Sequence, residues 1–232
     1  MSPKKNSRIN HYDFDNEGIV LTTYYLVRHG TTAWVDKQLL HGITDIPLND
    51  NGLRQAQRTA EAMRDIHAQH LFSSPLARAM QTAQAIGEKV HLSPSPRPGL
   101  IEINFGWMEG RTIEDDLNAH KPKIVYLYEH HRLNLIRFLS GDSKRGFQKR
   151  VVREWHSLLD ETHGEDSIIV AHSGVLDVIL VDCFGPPRDS LLPYYSIHPC
   201  SITTIEVAEG GNPLLVEMDN HAHLQEWYPA HD

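Results

Sequence analysis

The sequence is short of cysteine, of long apolar runs and of positive charge, and each shortage removes a class of protein. Cys183 and Cys200 are the only cysteines in 232 residues; they make no disulfide framework, and no CxxC pair suggests zinc. No stretch approaches the roughly 18 apolar residues of a membrane span, and runs such as Ile168–Ala171 are short and bounded by polar residues. The formal net charge is −8, so no broad basic face for nucleic acid is indicated. An anionic ligand would need a local cationic pocket. Met1–Gly18 is polar and charged, holds no signal-peptide-like apolar run, and reads as a disordered or loosely attached leader. A cytoplasmic protein is the expectation.

What is present is ordinary for a globular chain: 40% hydrophobic and 22% charged residues, with length for one full core. Sixteen histidines make the true charge sensitive to pH near 6.5. Thr22–Val27, His70–Phe72, Ser167–Ala171, Ser201–Val207 and Leu214–Met218 read as strands, being β-branched, aromatic or continuously apolar. Helical spacing covers Asn51–Ile66, with Leu53, Ala56, Ala60, Ala62 and Met63 on or near one face. It recurs over Pro75–Lys89, with Ser74 as cap and Pro75 in the first turn. Pro122–Leu139, Gly146–Thr162 and Val175–Phe184 complete the helices, and the proline-rich Ser93–Pro98 reads as loop. Strands alternating with helices predict an α/β sheet covered on both faces, a single domain over residues 19–232, and an inserted helical segment over residues 112–163.

Two strand ends resemble each other. Val27 leads into Arg28, His29 and Gly30, and Ala171 leads into His172, Ser173 and Gly174. Ligands of open α/β sheets bind beyond the carboxyl ends of the strands. Taken singly, either histidine reads better as a titratable turn residue. Together with Gly42–Leu48, Ser73–Thr82 and Glu102–Gly110, they form five motifs in a fixed order. This ordered set resembles the histidine phosphatase superfamily, the phosphoglycerate mutase-like proteins, over roughly Tyr24 to Val207.

The resemblance implies a three-layer sandwich with a mostly parallel central sheet and an inserted helical cap. It implies that His29 attacks phosphorus as a neutral imidazole, splitting hydrolysis into two steps through a phosphohistidine. Arg28 and Arg78 would clamp the phosphoryl oxygens with forked donors, and Gly30 would let backbone approach the phosphate. His172 would donate to the transferring group, charged beside a dianion. Glu102 would be the general acid and then base; Glu109, in the same loop, is its rival on sequence distance alone. Thr44 and Trp107 are candidates for contact with substrate. The implied ligand is a small phosphorylated metabolite, with no metal, no cofactor, no nucleic acid and no membrane; whether the chain forms a homo-oligomer is left open. The stretches Glu102–Gly110 and Asp142–Ser143 most resemble the broad-specificity and α-ribazole-phosphate phosphatases.

Three departures stand out. Val35 occupies a position where many relatives carry asparagine, Asp177 one where they often carry a basic residue, and Ile103 one where mutases typically carry arginine. Ile103 favours a phosphatase over a mutase; a non-catalytic phosphate-binding protein is the third reading. Basic residues of the inserted segment, such as Lys121, Lys144 and Arg150, suit either a second anionic group on the substrate or a solvated helix face. His130, His131, His221 and His223 have no recognisable metal spacing and read as surface or cap residues.

Overall fold

The computed structural model describes residues 21–112, 142–187, 195–208 and 211–228. The leader, the helix expected over 122–139, and His130 and His131 lie outside them. Strand β1 (Leu21–Arg28) is followed by a short helix α1 (Ala33–Asp36) and by α2 (Asp50–Ala62). Then come β2 (His70–Ser73), α3 (Ala77–Val90), β3 (Ser95–Pro96), α4 (Lys144–Glu161), β4 (Ser167–Ala171), α5 (Ser173–Phe184), β5 (Ile202–Ala208) and β6 (Leu214–Asn220). They build one six-stranded sheet in the order β3-β2-β4-β1-β5-β6. β3, β2, β4 and β1 are parallel, and β5 runs antiparallel to both β1 and β6. The expected α/β architecture with a mostly parallel sheet is the one observed.

The period of a strand sends alternate residues to opposite faces, and β4, buried along its whole length, feeds two cores. Ile169 and Ala171 pack with Phe147, Val151, Trp155 and Leu158 of α4 and with Val175, Leu176 and Ile179 of α5. Ile168 and Val170 pack on the other face with Ala60 of α2 and Ala79, Ala83 and Ile86 of α3. Helix α4, assigned from sequence to the inserted segment, is therefore a layer of the sandwich itself. Trp155, 1% exposed, meets the Tyr24 ring edge-on at 4.9 Å.

Several local expectations are corrected. On α2 the buried stripe is Gly52, Gln55, Ala56, Thr59 and Ala60, whereas Leu53 is exposed. The two polar side chains go inside because they have partners: Gln55 Oε1 accepts from the Thr31 N–H and hydroxyl, and Thr59 Oγ1 donates to a backbone carbonyl. Helix α3 starts two residues later than expected, and its cap comes from afar: Asp45 Oδ1 accepts from Ala77 N at 2.7 Å. The Ser93–Pro98 stretch contains β3, an edge strand, where proline is tolerated. Cys183 and Cys200 are free, and burial pushes both thiols up to about 12. Among the described residues no helix is long and apolar enough to cross a membrane.

Candidate active site

The parallel register of β1 on β4 pairs Arg28 with Ala171, so the residues that follow emerge side by side. His29 N donates to Ala171 O at 2.9 Å, and the His29 and His172 rings stand 5.1 Å apart, edge to face. His29 Nδ1 lies 2.7 Å from Gly30 O. A carbonyl only accepts, so Nδ1 carries the proton and Nε2 keeps its lone pair. Burial, then Arg78 and then Arg28, hold the ring well below the usual imidazole pKa. His29 is thus neutral at physiological pH, the form a nucleophile requires.

His172 is fully buried and is part of a relay. Arg78 Nε donates to its Nδ1 at 3.2 Å, which leaves the proton on Nε2, 2.7 Å from Ser74 Oγ. Burial, then His29 and Arg78, hold its pKa well below 6.5. Burial, and then the neighbouring imidazoles and guanidiniums, favour a neutral His172. Ser74, expected as a helix cap, meets this histidine through its hydroxyl and also accepts from Leu76 N at 3.4 Å.

Arg78 is 0% exposed. Its NH1 donates to Thr44 O at 3.1 Å and its NH2 to Gly42 O at 2.7 Å, which ties the Gly42–Thr44 loop to the first turn of α3. Burial brings it down to about 10, still charged at neutral pH. Arg28 NH1 donates to Ile197 O at 2.6 Å, and its Nε is buried with no hydrogen-bond partner among the described residues. A buried, unmatched guanidinium N–H is costly unless an anion meets it.

Glu102 is 5% exposed. Its Oε1 accepts from Ile103 N at 2.9 Å and its Oε2 from Gly174 N at 3.1 Å, in the first turn of α5. Burial raises its carboxyl pKa, against the pull of those two N–H groups, Arg78 and Arg28. A Cβ at Gly174 would lie 2.5 Å from Glu102 Oε1, so the glycine makes room for the carboxylate. Arg150 holds the same segment, donating to the carbonyls of Gly99, Ile101 and Glu102. Expected as a substrate-facing or solvated cation, it braces the backbone that carries Glu102.

Glu109 does something else. Its Oε1 accepts from Ile43 N and Phe105 N, each at 3.0 Å, and its Oε2 from Thr44 N at 2.7 Å and from the Thr44 hydroxyl. Burial favours the neutral acid, but these four donors hold the carboxyl below its usual range. Thr44, a candidate substrate contact, thus spends its hydroxyl within the protein. We expect Glu109→Gln to turn an amide NH2 toward N–H groups and to cost about 1–3 kcal/mol, read as a lowered urea midpoint.

Gly30 also has a packing role. Its N–H is taken by Thr82 Oγ1 at 3.1 Å, and an added Cβ would sit 2.7 Å from Gly52 O. The glycine lets the turn after β1 close on the first turn of α2. Trp107 is 36% exposed with the Arg111 guanidinium 4.9 Å above its ring, in the Gly106–Met108 turn beyond Glu102. Val35 lies in α1, its N–H donating to Thr32 Oγ1.

His41 was not anticipated from sequence. Its ring stands 6.1 Å from that of His29, and burial, then Arg78, lower it to about 4. Its one signal was adjacency to the Gly42–Leu48 motif. Beside this site runs a groove of about 680 Å³, lined by Arg28, Lys144, Ser173, Gly174, Asp177 and Ile197 among others. Asp177 Oδ1 there accepts from Tyr195 N at 2.7 Å.

Fold and site together define an α/β scaffold with paired histidines at adjacent strand ends. The chain belongs to the histidine phosphatase superfamily (branch 1), whose family model matches residues 24–220. A relative from Yersinia pestis (strain Pestoides F), a probable phosphoglycerate mutase GpmB, is 29% identical over 188 residues, 80% of this chain and 85% of the relative. The phosphoserine phosphatase from Entamoeba histolytica, solved with 3-phosphoglyceric acid, is 27% identical with a TM-score of 0.71, covering 88% of this chain and 99% of that one. The α-ribazole phosphatase from Shigella flexneri shares the fold, with a TM-score of 0.74 at 24% identity over 86% of this chain and 96% of its own.

Proposed function

We propose that the protein is a phosphomonoester hydrolase acting through a phosphohistidine on a small phosphorylated metabolite, with no metal in the reaction. The observation that carries this is His29: neutral, anchored through Nδ1 to Gly30 O, and in the field of the cations Arg78 and Arg28. In the first step His29 Nε2 bonds to phosphorus, the bond from phosphorus to the ester oxygen breaks, and that oxygen takes the proton of the Glu102 carboxyl. In the second, the Glu102 carboxylate takes a proton from water, whose oxygen bonds to phosphorus as the bond to His29 breaks. Arg28, whose Nε has no partner among the described residues, and Arg78 supply positive charge to the equatorial oxygens. A dianion arriving between them would favour the protonated form of His172 once Arg78 Nε has turned from its Nδ1 to the phosphate. The leaving alcohol fits the groove beyond Gly174. The two free cysteines and the lack of any membrane-crossing helix among the described residues are consistent with a cytoplasmic place.

A phosphoglycerate-type mutase is the second reading, favoured by the name of the Yersinia pestis relative. Against it stands Ile103, which packs on the apolar core beside Glu102 and offers no charge to a substrate carboxylate. The test is product balance, run in a strong chelator with 3-phosphoglycerate and its bisphosphate. We expect free phosphate to accumulate well ahead of any isomer, at a rate the chelator does not alter. Fast isomerisation with little phosphate would establish the mutase, and loss of rate restored by a divalent ion would end the metal-free mechanism.

A further inference from the structure

We propose that His198, Asp219 and His221 form a binding site for a divalent ion of the zinc class, outside the catalytic centre. Among the described residues they are a group of histidine and carboxylate side chains whose donor atoms all lie within 4.8 Å of one another. Nothing in the sequence spacing announces them: His198 lies in the segment before β5, Asp219 and His221 at the end of β6, and the pairing of β5 with β6 brings them together.

The geometry is close to what a zinc-class ion requires. Asp219 Oδ2 lies 2.6 Å from His198 Nδ1 and 3.6 Å from His221 Nδ1. A tetrahedral ion with bonds of about 2.05 Å separates its ligands by about 3.3 Å, between those two distances. Small rotations of the side chains would equalise them. Two imidazoles and one carboxylate are a donor set for zinc and its neighbours rather than for magnesium or calcium, which prefer all-oxygen shells.

The three side chains are also held. Asp219 adopts a left-handed backbone (φ 53°), unusual for a non-glycine residue, with its N–H bonded to Thr203 Oγ1 at 3.0 Å. Its Oδ1 accepts the His198 N–H at 2.7 Å, which fixes the carboxylate and leaves Oδ2 toward the rings. Tyr228 packs against both imidazoles, with ring centres at 4.7 Å and 5.6 Å. The side chains of His198 and His221 are 41% and 35% exposed, so a fourth position is open to water. His223, two residues on, turns away and bonds to Thr59 and Cys200 instead.

Each ring hydrogen-bonds Asp219 through Nδ1: His198 to Oδ2 at 2.6 Å and His221 to the backbone carbonyl at 2.7 Å. Binding needs each Nδ1 to present its lone pair to the ion, so the two hydrogen bonds are exchanged for two metal bonds. The segment carrying His198 also carries Ile197, whose carbonyl receives Arg28. The ion would fasten that segment to β6 without touching the reacting atoms.

The test uses the full chain, stripped with chelator and titrated with zinc by calorimetry and with cobalt by visible absorption. We expect one saturable site per chain, a cobalt spectrum of low coordination number, and a higher thermal midpoint with zinc. His198→Ala and His221→Ala should each weaken binding by more than the roughly 10–100-fold typical of losing an outer partner of a metal ligand. His29→Ala and the double variant His130→Ala/His131→Ala should bind as the parent does, which separates this site from the other histidine groups. Circular dichroism confirms that each variant is folded. No saturable zinc in the parent, or a site unchanged in both His198→Ala and His221→Ala, overturns the proposal.

Discussion

His29→Ala should abolish turnover, lowering it by roughly 10⁴ or more, the scale on which a covalent mechanism fails without its nucleophile. It should also abolish transfer of label from a phosphorylated substrate. In the parent, label trapped after a brief reaction should be lost in acid and kept in base, as a phosphoramidate is; acid-stable label would place the nucleophile elsewhere. The fold should survive, because the substitution frees one carbonyl, Gly30 O, and opens a small cavity, a cost of about 1–3 kcal/mol. His29 also carries a pH signature. Its pKa is depressed in the folded protein, by burial and then by Arg78 and Arg28, so the unfolded chain binds the extra proton first. Below about pH 6.5 the parent therefore loses stability as pH falls. His29→Ala should lose less over that window, measured as urea midpoint against pH. A variant that loses activity and keeps the parent's full acid sensitivity would show that the buried neutral form had been misread.

Glu102→Gln makes a graded claim. An alkyl phosphate departs as a strongly basic alkoxide and needs a proton in the transition state, whereas a nitrophenyl ester departs as a weak base. Removal of a general acid costs about 10²–10⁴ in rate. We expect that full loss for formation of the phosphoenzyme from an alkyl ester, and a much smaller one from the aryl ester. Rapid quenching is needed, since the same carboxylate activates water in the second step and would then limit steady turnover. Burial, acting against Ile103 N, Gly174 N, Arg78 and Arg28, raises the carboxyl pKa. The protonated acid is thus available below that raised pKa and is lost as pH rises through it, so the alkyl reaction should fall on the alkaline side while the aryl reaction stays flatter. Glu109→Gln is the control: it should lower stability without any dependence on the leaving group. Equal losses for both esters in Glu102→Gln, or leaving-group dependence in Glu109→Gln, would move the acid away from Glu102.

The choice between these two glutamates shows where sequence stopped. Both lie in one loop, and nothing in their spacing says which faces the histidines. The fold separates them by their partners: Glu102 meets the first turn of α5 through Gly174, while Glu109 closes on Ile43 and Thr44 across the loop that Arg78 holds. The same applies to Gly30, whose need for no side chain comes from Gly52 of α2. It applies to Arg150, one of several basic residues by composition and the only one that folding sets under the Glu102 carbonyl among the described hydrogen bonds.

What the sequence determined by itself was local: which segments are strands, that they alternate with helices, and that two of them end in histidine followed closely by glycine. Apolar continuity and turn chemistry are properties of neighbouring residues, so they can be read from the chain directly. Only the tertiary structure decided which polar side chains go inside. Gln55 and Thr59 are buried and Leu53 is exposed because hydrogen-bond partners wait for the first two, supplied by segments remote in sequence such as Thr31 and Cys200. Only the register of β1 on β4 decided that His29 and His172 share a site, since that pairing depends on the two cores packed on either face. The charge state of those histidines was decided there too, because it is set by burial and by Arg28 and Arg78, and neither exists until the chain has folded.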